Sequence, residues 1–451
     1  MGQEPVFTVA VDQNPYLTAG ATAVEAIAGV KAIAAQPGPA GPAAQAAEVI
    51  IIDISGSMCG QKLVAAKNAA RAALDALRDG THFALIAGDD RAELVYPRGS
   101  HRMVKIDGKT RAAAKEALRG VNCRGGTDFD PWLLLADRVL ATRPDAIRHA
   151  VMLTDGHGLL RTALDTCKGH FTCDARGIGG DWSYQQLAKI ADALLGTWGI
   201  IREPEDMEAD FREMIERAMS KSMAEVFLRV RPSRGARVRR IQQVAPAIVE
   251  LTDKAVAVGD GRSFDYPLGP WGTEARDYQI GIEVDQRTMA METNNPTPAR
   301  AALVSVVTHG PADAAGDGAN TLAQASVKVG WTDDLGLSTR IDPVLARYTG
   351  QLELSQHVEA GLSALAKRDY PAAENHLGAA RRQARRFDRE ETLILLNRIV
   401  EVVDEREGTV RIRRNLNNKD VIEAAWSATQ TVQVKANEQR KETPAAPERE
   451  S

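Results

Sequence analysis

From residue 48 to about residue 222, short apolar runs alternate with amphipathic stretches of helical period, and this alternation restricts the fold more than any other feature of the chain. EVIIID is strand-like. QKLVAAKNAARAALDALRDG follows, with Leu63, Ala66, Ala70, Leu74 and Leu77 on one helical face and Gly80 as its stop. HFALIAGDDRAELVYP reads as two strands turning at Asp89-Asp90, and TRAAAKEALRG as a short helix. FDPWLLLADRVLAT is a helix with Pro131 near its start, AIRHAVMLTDG a strand, and FTCDARGIG another. SYQQLAKIADALLG, TWGIIRE and DMEADFREMIERAM complete the series as helix, strand and closing helix. An order of this kind packs as a doubly wound, mostly parallel sheet with helices on both faces, an α/β domain over residues 47–222.

The flanks have a different texture. FTVAVDQNPYL, near the N-terminus, alternates as a strand does and turns at Asn14-Pro15, and AAQPGPAGPAAQ is a Pro/Gly/Ala linker. Residues 1–46 are read as a strand region that joins a β domain, followed by that linker. Between 223 and 335, VFLRVRP, AIVELT, AVAV, YQIGIEV, ALVSVV and SVKVGW are short β-rich runs that predict an all-β sandwich. Residues 340–435 read as a helical region in which Gly361, Tyr370, Ala373, Leu377 and Ala380 fall at tetratricopeptide-like spacings, either as one repeat or as a plain helical hairpin. Residues 436–451 are polar and charged and predict a disordered tail.

Composition removes several classes of function. Net charge is −4 over 451 residues, which makes no global electrostatic case for nucleic acid or membrane. Four cysteines do not make a disulfide framework in a chain of this length. No uncharged apolar run approaches the roughly 20 residues a spanning helix needs. The first basic residue is Lys31, so no charged secretory n-region is present, and MGQEPVF lacks the hydroxyl residue of a myristoylation site. The expected location is cytoplasmic.

Three segments put oxygen-bearing side chains at carboxyl ends of predicted strands, where the loops of an open α/β sheet converge on ligands. Asp53, Ser55 and Ser57 follow the first strand in DISGSM; Thr127 lies in GGTD before a helix; Asp155 ends the strand in LTDG. Two carboxylates and three hydroxyls form a hard-oxygen set suited to Mg²⁺, with Mn²⁺ or Ca²⁺ as alternatives, rather than to Zn²⁺ or Cu²⁺. Two carboxylates only neutralise a dication, so a coordination position open to solvent would attract an anionic oxygen from outside. The physical product is a docking point for an Asp or Glu of another protein.

DISGSM, GGTD and LTDG, in that order, resemble the metal-ion-dependent adhesion site of von Willebrand factor A domains, and the resemblance covers about residues 47–222, including GIGGDWSYQQLAKIA. It implies that Ser55, Ser57 and Thr127 bind the metal directly and that Asp53 and Asp155 do so mainly through water. It also implies Mg²⁺ as the usual ion and partner binding rather than catalysis. The β-rich and helical flanks are similar to those of bacterial cytoplasmic members of the family, some of them related to tellurium-resistance and stress-response systems.

The same residues admit other readings. Ser55 and Ser57 could cap the helix that starts near Gly60, and Asp155-Gly156 could be an ordinary turn. A haloacid-dehalogenase-like phosphatase would need a second acid where Ser55 stands, and neither a P-loop nor a Gly-x-Gly-x-x-Gly fingerprint occurs. Metal-assisted hydrolysis or phosphoryl transfer has only His157 as a nearby base, read as an exposed loop histidine. CKGHFTC, with Cys167, His170 and Cys173, lacks a fourth zinc ligand at short spacing, although Cys59 and Cys123 lie on loops that could approach the metal end of the sheet. RVRPSRGARVRR (229–240) and RRQARR (381–386) are basic enough to touch nucleic acid but lack interleaved aromatics, and solvated faces explain them. Asp89 and Asp90 are expected to rim the metal site. The expectation from sequence is therefore a non-enzymatic, metal-dependent protein-binding scaffold or regulator.

Overall fold

The computed structural model describes residues 5–34, 45–99, 102–180, 182–259, 261–290, 298–309, 318–405 and 408–431. The sequence-predicted linker falls largely, and the C-terminal tail wholly, outside these residues.

The chain opens with β1 (Val6–Asp12), β2 (Tyr16–Leu17) and β3 (Ala23–Ile33). An α/β unit follows: β4 (Ala46–Asp53), α1 (Gln61–Ala76), β5 (His82–Gly88), β6 (Ala92–Tyr96), β7 (Val104–Lys105), α2 (Gly108–Arg119), α3 (Phe129–Leu140), β8 (Ile147–Thr154), α4 (Ala163–Cys167), β9 (Thr172–Ile178), α5 (Tyr184–Ala193), β10 (Trp198–Ile201) and α6 (Met207–Met219). Its sheet runs β10-β9-β8-β4-β5-β6, with β7 also paired to β5. The pairs from β10 through β5 are parallel, and only β6 and β7 run the other way. β4 is buried along nearly its whole length because helices cover both faces. Ile50 and Ile52 face the α1, α2 and α6 side, whereas Val49 and Ile51 face α3, α4 and α5. A strand covered on both sides has no reason to alternate with polar residues, which accounts for the unbroken VIII run. β4 is the first strand of this unit and has β5 on one side and β8 on the other, so the switch point of the sheet lies between the ends of β4 and β8.

After α6 come β11 (Met223–Pro232), β12 (Ala236–Ala245), β13 (Val249–Glu250), β14 (Val256–Val258), β15 (Ser263–Trp271), β16 (Glu274–Val284), α7 (Gln286–Ala290), β17 (Ala299–His309) and β18 (Ala319–Trp331). They form two sheets with the N-terminal strands, β1-β3-β16-β12-β13 and β14-β15-β11-β17-β18-β2. Val24, Val30, Leu228, Trp271, Ile280 and Val304 pack together in the core of this sandwich. Because β1 and β3 precede the α/β unit and β11 follows it, the α/β unit is an insertion into the sandwich.

The C-terminal region holds α8 (Leu335–Ser338), α9 (Pro343–Ala366), α10 (Tyr370–Arg386), α11 (Glu390–Ile399), β19 (Val400–Asp404), β20 (Thr409–Ile412) and α12 (Asn418–Thr429). α9 and α10 form a helical hairpin in which Gly361 lies against Leu377. The region is helical as read, with one antiparallel pair, β19–β20, set between α11 and α12. This region is tied to both other units. The Tyr348 hydroxyl donates to Asp277 of β16. Arg202, after β10, pairs with Asp420 of α12 at 2.9 Å, and Ile422 enters the α/β core. Among the described residues no helix is long and apolar enough to cross a membrane.

Candidate functional site

The site is built where β4 ends. The Asp53 carboxylate accepts the Ser55 backbone N–H at 2.7 Å, which turns the chain out of the strand. A single 3₁₀ turn, Gly56–Met58, follows, with Met58 buried. Gly60, at φ +88°, then leads into α1, a conformation that favours glycine. Neither serine hydroxyl caps a helix: the 3₁₀ turn has no side-chain cap, and the N-cap of α1 is Gly60. The capping reading of the two serines therefore fails.

Their hydroxyls meet each other and Asp155 instead. Ser55 Oγ lies 3.1 Å from Ser57 Oγ, and Ser57 Oγ donates to Asp155 Oδ1 at 2.6 Å. Thr127 joins them through Gly156, whose Cα carries no side chain: a Cβ there would lie 3.1 Å from Thr127 Oγ1 and 3.7 Å from Ser57 Oγ. All five sequence-predicted residues thus converge. Asp53, Ser55 and Asp155 are buried, Thr127 is half-buried and Ser57 is exposed, so the hydroxyls of Ser57 and Thr127 form the outer side of the cluster.

Backbone bonds hold the loops in register. Gly56 N–H donates to Gly125 O at 3.1 Å and Arg124 N–H to Ile54 O at 2.6 Å; Leu159 N–H donates to Thr127 O at 3.1 Å. A disulfide joins Cys59 to Cys123 across the same two loops. The cysteine count excluded a disulfide framework and did not anticipate this single bridge. Cys167 and Cys173 are free and buried, His170 pairs with Asp137 at 2.9 Å, and among the described residues CKGHFTC forms no His/Cys/Asp/Glu group placed to hold an ion. Asp89 and Asp90 flank the Thr127 loop. Asp89 is buried with its carboxylate on Arg91 N–H and Arg124 Nε, both at 2.8 Å, and Asp90 lies beside Gly125. His157 is exposed.

Two participants are absent from the sequence reading. Thr154 Oγ1 donates to Asp53 Oδ2 at 2.6 Å, so both Asp53 oxygens are held by protein donors. Lys62 Nζ lies 2.5 Å from Asp155 Oδ2. A readable signal exists for Lys62: it sits in the first turn of α1, where the helix dipole disfavours a cation unless an acid faces it. Burial pushes the Asp53 carboxyl up to about 6, against the lowering effect of its bonds from Ser55 and Thr154. The donor set fits a hard dication. Two buried carboxylates sit with three neutral hydroxyls, and a cationic group, the Lys62 ammonium, already lies on Asp155 Oδ2.

The protein is 38% identical to a von Willebrand factor type A protein from Catenulispora acidiphila, over 96% of this chain and 98% of that one, with a TM-score of 0.87. The chain belongs to the von Willebrand factor type A family. The family model for the von Willebrand factor type A domain matches residues 49–157, and that for the type A C-terminal domain matches residues 388–424. The second match spans all of α11, the β19–β20 pair and the first part of α12. A curated relative, uncharacterized protein sll0103 from Synechocystis sp., is 29% identical over 214 residues, 45% of this chain and 49% of that protein. The chain thus spans about half the length of that relative. The ArnB paralog VWA2 from Sulfolobus acidocaldarius shares the fold at 12% identity, covering 94% of this chain and 97% of that one with a TM-score of 0.54.

Proposed function

We propose that Asp53, Ser55, Ser57, Thr127 and Asp155 hold Mg²⁺ and that the chain is a metal-dependent protein-binding scaffold or regulator, not an enzyme. The observation that carries this reading is the contact set around Asp155: Ser57 Oγ on one carboxylate oxygen and the Lys62 ammonium on the other. Because Asp53 is engaged on both oxygens, its part is to fix the Ser55 turn and to supply negative charge from behind. The hydroxyls of Ser57 and Thr127 are the neutral donors on the outer side, with the buried Ser55 hydroxyl behind them. When bound, the ion supplies a hard Lewis acid that accepts a carboxylate oxygen from an Asp or Glu of another protein. Mn²⁺ and Ca²⁺ fit the same donors. Lys62 competes with the ion for Asp155, which tunes affinity downward.

Binding is favoured over phosphoryl transfer because the nearby histidine, His157, is exposed to solvent and, among the described residues, no hydrogen bond ties it to the cluster. It is favoured over nucleic-acid recognition because the basic segments are largely neutralised within the chain. Arg229 pairs with Asp265 at 2.7 Å, Arg239 with Glu25 at 2.6 Å, and Arg385 with Glu405. Cytoplasmic residence and a role beside stress-response systems belong to the same proposal. Calorimetry of the full chain with Mg²⁺ tests it. Heat of uptake is expected for the native protein and is lost in Asp155→Ala and Ser55→Ala variants that keep their circular dichroism. An unaltered Mg²⁺ isotherm in both variants removes the five residues from the role.

A further inference from the structure

A cleft of about 770 Å³ opens between the α/β unit and the C-terminal region, with His157, two residues past Asp155, in its wall. Tyr184, Leu365, Arg368, Tyr370 and Arg414 are among the other groups around it. Its chemistry is mixed in a particular way. Leu362 is buried, Leu365, Leu416 and Tyr184 are half-buried, and Tyr370 is 50% exposed, so one side is apolar. Arg368, Arg413 and Arg414 are all exposed and supply three positive charges. The acid in the lining, Glu374, is committed to the Ile412 backbone N–H at 3.0 Å. Arg413 is held by Asn397 O at 3.0 Å and pairs with Glu401 at 3.5 Å, so the uncommitted charges are those of Arg368 and Arg414. For the side chains of Arg368 and Arg414 the described residues provide no hydrogen bond or ion pair.

We propose that this cleft seats an acidic, apolar segment of the partner protein, one whose first carboxylate goes to the metal and whose following residues alternate acid with aliphatic side chains. The proposal rests on the metal reading above. Three arguments select this occupant. The cleft wall includes His157, two residues past Asp155, so a chain anchored at the five donors by a carboxylate has the cleft as its neighbouring surface. Its cationic groups outnumber a single, already bonded acid, which complements further carboxylates. Its apolar side matches aliphatic side chains rather than a sugar-phosphate backbone, whose binding would call for charge along the whole track. The arginines lie on the Lys367–Asp369 turn and the β20–α12 loop, outside the five-residue site, so the C-terminal region selects which carboxylate-bearing partners the ion retains.

The test is fluorescence anisotropy on the full chain in Mg²⁺ with three labelled probes: a pool of ten-residue peptides made only of Asp, Glu, Leu, Ile, Val and Ala; the same pool with Asn and Gln replacing the acids; and a single-stranded oligonucleotide. The acidic pool is expected to bind, and Arg368→Glu combined with Arg414→Glu should weaken it about tenfold or more. Charge-reversed protein that binds the acidic pool as well as the native chain overturns the proposal. So does the absence of binding by the acidic pool, or stronger binding of the neutral pool or the oligonucleotide. Mg²⁺ calorimetry on the native chain separates the two readings. If the ion is not taken up, the metal reading fails and the cleft proposal falls with it; if it is taken up while peptide binding ignores the arginines, only the cleft proposal fails.

Discussion

Opening the Cys59–Cys123 bridge tests how the two loops of the site are held together. The bridge spans 64 residues of sequence, with the Cα atoms 5.5 Å apart. Closing a loop of that length removes chain entropy from the unfolded state worth about 4 kcal/mol at room temperature. Inside the folded protein, the bonds from Gly56 N–H to Gly125 O and from Arg124 N–H to Ile54 O remain when the bridge opens. The loss should therefore fall on the stability of the α/β unit rather than on its shape. Hydrogen exchange read by mass spectrometry on peptides from β4 and β8 measures it locally, without requiring the whole chain to unfold in one step. Amides that exchange only through opening of this unit should exchange roughly a thousandfold faster, at about 1.4 kcal/mol per decade, in dithiothreitol or in the Cys59→Ser/Cys123→Ser protein. Unchanged protection after thiol labelling proves the bridge open would refute the reasoning. A cytoplasmic chain would carry the dithiol in its reducing compartment, so Mg²⁺ uptake should be compared in both redox states.

Three other perturbations have defined outcomes. Gly125→Ala puts a side chain at φ +68° and against the Asp90 carboxylate, with Asp89 Cβ 3.2 Å away. A loss of about 1–2 kcal/mol from the backbone alone and weaker Mg²⁺ uptake are expected by thermal melting and calorimetry. Trp132→Phe removes the indole donor to Asp89 O, 2.8 Å away and buried, and should lower the urea midpoint by an amount equivalent to roughly 1–3 kcal/mol. His149 lies between Glu48 and Asp174, at 2.8 and 3.4 Å. Burial alone would push its imidazolium down, but the two carboxylates overcome that and raise it to about 10. With the folded value above the usual 6.5, its stabilisation is complete below about pH 6.5 and is lost as pH rises through about 10. Chemical denaturation across that window should show the decline, and His149→Gln should flatten it.

The α/β unit is legible in the sequence because its signals are local. A strand covered on both faces shows as EVIIID, and a helix with one buried stripe shows as Leu63, Ala66, Ala70 and Leu74. The five oxygen donors are legible for a related reason: each sits at the end of a strand or in the loop that precedes a helix. What the sequence hides depends on partners far along the chain. β3, AVEAIAGVKAI, is built mostly of small residues whose hydrophobic signal is weak, and it is fixed by pairing with β16 some 250 residues later. β19 and β20 are short, and β19 follows directly on a helix, so periodicity merges them with it. The Cys59–Cys123 bridge needs the knowledge that two loops, separated by α1 and α2, lie side by side.

The topology also bears on selectivity. The proposed metal site, made of five small side chains, would have little surface with which to tell one carboxylate from another, because every Asp or Glu offers the same oxygen. Discrimination has to come from what surrounds the ion. On one flank the surroundings are fixed by the Asp89–Arg124 pair and by Asp90, whose negative charge disfavours an acidic approach from that direction. On the other flank stands the C-terminal region, held to the sandwich by Tyr348 and to the α/β unit by Asn418, Asp420 and Ile422. With an acidic rim on one side and exposed arginines on the other, an incoming acidic segment has one electrostatically favourable direction. Substituting Asp90→Asn should then relax that direction without touching the five donors. The same labelled acidic pool would reveal it as a gain in affinity that Arg368→Glu no longer fully reverses, and an unchanged dependence on Arg368 would show that the rim plays no part.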